Sequence, residues 1–189
     1  MRPKPVWQMQ SRKETIMKVK MLIAVCLAAL CAAYAQAQEP KLPKNVKNTK
    51  VYDLGKNLVS IPNFGEKNLI IFFLDPDNFM QNNDFQNEFE AGGYGTGKDL
   101  FSFGIVNKYD SLIPMNWIVS QAKKRTANNG GTALVDIDGN LAKDWGLGDC
   151  NNMFVLLVVS KEGELVYCHK GKLSRADIDD FYKFIEAYK

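Results

Sequence analysis

The side chains able to carry chemistry are few. Four cysteines and one histidine, His169, are spread over 189 residues. Cys26 and Cys31 sit in an apolar leader, which leaves Cys150 and Cys168 to the folded part. Two thiols could form a disulfide switch, or a peroxidatic cysteine with its resolving partner. A Cys-His couple could activate a nucleophile, but neighbours 168 and 169 on one strand face opposite sides, so His169 reads as a lone surface histidine. No serine lies in a Gly-x-Ser-x-Gly elbow. Two acidic pairs are candidate oxygen ligands. Asp75-x-Asp77 has Met80 where a calcium loop needs its tight-turn glycine and Gln86 where it needs a bidentate glutamate, and Asp136-x-Asp138-Gly139 has its glycine two positions early. Asp77 then reads as a helix cap and Asp138-Gly139 as turn chemistry. The glycine-rich stretch 92–98 follows a helix and precedes a strand, the reverse of a phosphate-binding loop, so neither metal nor cofactor is expected.

The leader explains the net charge of +3. Residues 1–37 hold six basic residues and one acid, leaving 18 basic against 20 acidic residues in the rest. That balance, with no basic stripe, excludes an electrostatic footprint for nucleic acid or an anionic membrane. Lys18 and Lys20 precede an apolar run over 21–33, followed by small residues that fit cleavage at Ala33-Tyr34-Ala35 or Ala35-Gln36-Ala37. The run of about 13 residues falls short of the roughly 20 that span a bilayer, so residues 1–37 read as an export signal, its true start placed at Met17 or Met1, and no membrane insertion is expected after cleavage. Residues 38–50 read as an exposed lead-in before a single domain over 51–189.

The elements that must position these groups alternate in type. Segments 51–54 and 58–61 flank Gly55-Lys56-Asn57 as a hairpin, and 69–74 is an unbroken apolar run of the kind covered on both faces. A helix from Asp77 carries Phe79, Phe85 and Phe89 at helical spacing and stops at Gly92-Gly93. A strand over 101–106, a helix opened by Ile113-Pro114 and closed by Lys123-Lys124-Arg125, a strand over 132–135 and a short helix with Ala142 and Trp145 follow. Runs 153–159 and 164–169 form a hairpin, and Ser174 with Asp177 caps a last helix bearing Ile178, Phe181, Tyr182, Ile185 and Tyr188 on one face. The order predicts an α/β layer fold with a mixed sheet. In the hairpin, paired residue numbers sum to about 323, which sets Cys168 opposite Val155 or Leu156. Cys150 then lies roughly 16 Å further along. A disulfide needs Cα atoms within about 7 Å, so the two do not bond unless loop 148–152 folds back.

This layout, with Leu54-Gly55-Lys56-Asn57-Leu58-Val59-Ser60-Ile61-Pro62 leading into Leu69-Ile70-Ile71-Phe72-Phe73, resembles exported thioredoxin-like and peroxiredoxin-like domains. Ile105-Val106-Asn107, Asp110, Ile113-Pro114, Val135-Asp136-Ile137-Asp138-Gly139, Asp144-Trp145-Gly146-Leu147 and Lys170-Gly171-Lys172-Leu173-Ser174 are similar to the YtfJ family of exported bacterial proteins. The resemblance covers residues 50–188. It implies a thioredoxin-like three-layer sandwich with a mixed central sheet and an extra N-terminal β-hairpin, and a periplasmic or secreted protein. It implies no activity, because that family is functionally uncharacterised.

Thiol-disulfide exchange needs a thiolate at the start of the helix after the central strand, where the helix dipole lowers its pKa, with a resolving cysteine three residues on. Residues 74–81 contain no cysteine, and Asn152 or Met153 stands where such folds carry a proline facing the thiols. The expectation is therefore a non-catalytic binding module. Asp75, Asp77, Asn78 and Asn152 would form its recognition edge, Phe79 or Met80 its apolar anchor, and an envelope or secreted protein its partner. The alternative is an enzyme: a thiol-disulfide oxidoreductase or peroxidase using Cys150, Cys168 or both.

Overall fold

In the computed structural model, the described residues are 40–189, apart from Thr96, Asp110 and Gly130, together with Lys20. The leader apart from Lys20, its cysteines and both cleavage motifs therefore lie outside the described residues, as does Asp110 of the family-like motif. Residues 40–189 form one compact unit. Its strands are β1 (Lys44–Asn45), β2 (Lys50–Tyr52), β3 (Leu58–Ser60), β4 (Asn68–Leu74), β5 (Leu100–Asn107), β6 (Ala133–Asp136), β7 (Phe154–Val159) and β8 (Glu164–Lys170). Its helices are α1 (Asn83–Ala91), α2 (Met115–Asn129), α3 (Asn140–Trp145) and α4 (Arg175–Ile185).

The strands form one mixed sheet in the order β1-β8-β7-β4-β5-β6-β2-β3. β4 and β7 are adjacent interior strands, and their runs Asn-Leu-Ile-Ile-Phe-Phe-Leu and Phe-Val-Leu-Leu-Val-Val are buried on both faces but for half-buried Leu74. β4, β5 and β6 run parallel, joined by crossovers through α1 and α2, while β7 pairs antiparallel with β4 and β8 antiparallel with β7. Alternation along β4 divides the core. Leu69, Ile71 and Phe73 pack with Ile105, Leu141 and Trp145 on the α3 side, and Ile70 and Phe72 with Phe85, Phe89 and Phe181 on the side of α1 and α4. On that second side the rings of Phe85 and Phe181 meet edge-on, and Tyr94 stacks on Tyr182 with centroids 4.3 Å apart. Ser174 and Asp177 close the expected capping box on α4. The hairpin β2–β3 extends the sheet, joining β6 through Tyr52 opposite Val135.

Four local expectations are corrected. The helix after β4 does not start at Asp77. Asp75 Oδ1 accepts from the Asp77 N–H (2.8 Å) to cap a single 3₁₀ turn, Pro76–Asn78, and α1 begins at Asn83. Pro76 suits the first position of such a turn. Over residues 40–50 the lead-in is largely exposed, yet it is also strapped down: β1 pairs with β8, Thr49 is buried with its hydroxyl on Asp144 (2.8 Å), and the Trp145 indole donates to Lys47 O (3.0 Å). α2 runs past Lys123-Lys124-Arg125 to Asn129. Cys168 faces Leu157, not Val155 or Leu156, because a bulge at Val158/Val159 shifts the register by skipping Val166. His169, opposite Leu156, is half-buried with no hydrogen-bond partner for its Nε2, not a surface group.

Candidate functional site

The C-terminal end of β4 is the place to look, because the chain there leaves the sheet middle and turns toward α1. Asp75 is the hub. It is 1% exposed, and its second oxygen, Oδ2, accepts from the Asn152 N–H (2.9 Å). The Asn152 carbonyl in turn accepts from Asn78 Nδ2 (2.9 Å), and the Asp75 N–H donates to Met153 O (3.2 Å). Two segments 77 residues apart are thus clasped by one carboxylate and one amide. Burial raises the Asp75 pKa above its ordinary value, and the N–H bonds from Asp77 and Asn152 partly offset it.

Asn152 adopts φ = +56°, a left-handed conformation that asparagine tolerates better than most residues. A proline fits neither that angle nor the N–H bond to Asp75. The amides that follow are equally occupied. Gln81 Oε1 accepts from Phe154 N–H (2.8 Å), and buried Asn82 donates to Gly171 O (2.8 Å) while accepting from Leu173 N–H (3.0 Å). Among the predicted recognition residues, then, Asp75 holds the edge in shape instead of presenting itself, and Asn78 is half spent in the same clasp.

What the edge does present is apolar. Phe79 is 45% and Met80 57% exposed, with Asp77 and Asn152 exposed beside them. Phe79 meets Trp117 of α2 edge-on, centroids 5.6 Å apart. Trp117 was not among the expected site residues, and a contact across 38 positions leaves no local sequence signal.

The alternative redox pair behaves otherwise. Cys150 is a buried thiol, and no disulfide joins it to Cys168, although both pack on the α3-side core. Its Sγ–H faces Gly148 O at 3.6 Å, and burial pushes its pKa to about 12 against a small opposing pull from Lys170. A thiol so held is the poorest form of a nucleophile. The second acidic pair is engaged in structure. Asp136 accepts from Asn140 and Leu141 N–H (3.1 and 2.9 Å) at the start of α3, and Asp138 accepts from the Tyr52 hydroxyl (2.9 Å). Among the described residues no three His, Cys, Asp or Glu side chains converge as a metal site, and no helix is long and apolar enough to cross a membrane.

No family model matches the chain, and no curated protein matches its sequence. Solved structures do match in shape. An exposed lipoprotein thioredoxin, Etrx1, from Streptococcus pneumoniae aligns over 73% of this chain and 99% of its own at a TM-score of 0.54 and 16% identity. The fold is thioredoxin-like. A DsbF homologue from Corynebacterium diphtheriae aligns over 79% of this chain and 89% of its own at a TM-score of 0.58 and 13% identity. A putative thiol:disulfide interchange protein DsbE from Chlorobium tepidum covers 77% and 96%, at 0.55 and 13%. These likenesses to thioredoxin-like thiol-disulfide proteins concern the fold, into which this chain puts a carboxylate clasp at the end of β4.

Proposed function

We propose that this chain is an exported, non-catalytic thioredoxin-fold protein that acts by binding an envelope or secreted protein. The observation that carries the reading is the clasp: the turn after β4 holds Asp75, hydrogen-bonded to Asp77 and Asn152, and contains no thiol to exchange. The leader over 1–37 supports export to the periplasm or beyond, and the motifs over 105–174 support kinship with the YtfJ-like exported proteins. Phe79 and Met80 supply the anchor, since exposed apolar side chains at the rim of a rigid element are what a partner's pocket takes up.

The test is capture from an envelope extract with the wild type, Phe79→Ala and Met80→Ala. A partner retained by the wild type and lost with the variants, at unchanged thermal stability, is the expected result. Equal capture by all three proteins removes the edge from the binding surface. Phe79→Ala is expected to cost less than the roughly 3–5 kcal/mol of truncating a fully buried phenylalanine, so a loss in that range makes Phe79 a core residue.

A further inference from the structure

Helix α2 is poorly seated. Among its described side chains only Ile118 is buried, and none belongs to either core cluster. Beneath it, Ala122 and Thr126 come down over Gly104 of β5, and three small residues cannot fill the space between a helix and a sheet. Two adjoining cavities of about 240 and 230 Å³ result. They share Leu74, Gln86, Val106, Ala122 and Arg125 in their walls, and together they reach the roughly 300–1,000 Å³ of ligand pockets.

The walls are not uniformly apolar. Gln86 is 3% exposed, and its Nε2 has no hydrogen-bond partner, an arrangement that proteins avoid unless something else supplies the acceptor. The terminal torsion of glutamine is soft, so the amide can turn toward an occupant without moving α1. Lys124 and Arg125 line the outer cavity. Arg125 is held in place by Glu90 (Nη2 to Oε1, 2.9 Å; Nε to Oε1, 3.2 Å) and by Asn83 (Nη1 to Oδ1, 3.4 Å), bonds that use three of its five N–H groups. Glu90 is the one acid in these walls and is already paired.

We propose that this cleft binds a small carboxylate with an apolar chain. The carboxylate accepts from the Gln86 amide and from Arg125 in the shared wall, and the chain lies against Leu74, Val106 and Ile118. The complement is chemical: two donors, one of them cationic, in a surround of hydrocarbon, call for an acceptor anion on a hydrocarbon body. The site does not depend on the binding-module reading, although Phe79 and Trp117 border both surfaces.

The probe is octanoate, titrated into the isotope-labelled protein and followed by amide NMR, with 1-octanol as the uncharged control. The expected result is a saturable shift of the Gln86 side-chain amide, with octanol at least tenfold weaker. Gln86→Leu is expected to weaken octanoate roughly 10-fold or more, the worth of a hydrogen bond to a charged group. Gly104→Val is a second variant that fills the cleft: a Cβ there meets only Phe72 O, at 3.9 Å, so the substitution fits the fold and is expected to abolish binding. No saturable shift at Gln86 would leave the cavities to water and overturn the proposal. Octanoate bound equally by wild type and both folded variants would overturn it too, as would octanol bound as tightly as octanoate. None of these results bears on capture through Phe79.

Discussion

A buried carboxylate at the head of a turn gains from N–H groups aimed at it and loses from desolvation, and at Asp75 desolvation is the larger effect. The sign of the pH dependence follows. With its folded pKa raised above the ordinary 3.8, Asp75 contributes stability that is full below that value and is lost as pH rises through the folded one. Asp136, raised by the same cause, acts in the same direction, while Asp53, Asp144 and Asp177, lowered, act oppositely. Comparison with Asp75→Asn isolates the one group: in urea unfolding, the stability of the wild type relative to the variant grows as pH falls from 7 toward 4. A difference that grows with rising pH contradicts this. At Asn152 the same clasp predicts that Asn152→Pro destabilises by about 2–4 kcal/mol, from an orphaned carboxyl and a forbidden backbone angle, measured by chemical denaturation. Installing that proline does not restore a thioredoxin-type site. For Cys150, burial pushes the pKa up to about 12, which keeps the thiol protonated at neutral pH. Alkylation of Cys150 in the native protein is therefore expected only at the rate of global unfolding, read by peptide mass after trapping.

At the scale of elements, what the sequence made legible was what depends on local pattern. The apolar runs of β4 and β7, the box of Ser174 with Asp177 and the Gly92-Gly93 stop all appear where periodicity and turn chemistry place them. What escaped was set by distant partners. The break between Asn78 and Asn83 is held by Gln81 and Asn82 reaching residues 73 to 91 positions away, and nothing in Phe79, Phe85 and Phe89 at helical spacing announces it. The β8 bulge moves Cys168 by one partner, a shift that hairpin arithmetic cannot foresee. For the site, the absence of a thiol over 74–81 was plain in the sequence, whereas the clasp to Asn152 was not, since that bond spans 77 residues. Asn82 offers the element-scale test. It bonds both Gly171 and Leu173 from a buried position, so Asn82→Ala is expected to cost about 1–3 kcal/mol. Hydrogen exchange should rise first at the start of α1 and in the turn before α4; unchanged protection there contradicts the stapling role.

As a whole the molecule has a thioredoxin-like fold whose turn after β4 carries the Asp75 clasp and no thiol. Rigid sheet, covered faces and a strapped N-terminal segment hold an edge that offers Phe79 and Met80, while the loosely seated α2 leaves a cleft nearby. Such a frame presents a surface in fixed shape without needing a thiolate. The measurement that tests this most directly is turnover by the intact protein in two assays, reduction of insulin by dithiothreitol and consumption of hydrogen peroxide, run beside Cys150→Ser. The account predicts no rate above the uncatalysed background in either assay. Turnover by the wild type that disappears in Cys150→Ser would contradict it and make the buried thiol a redox centre.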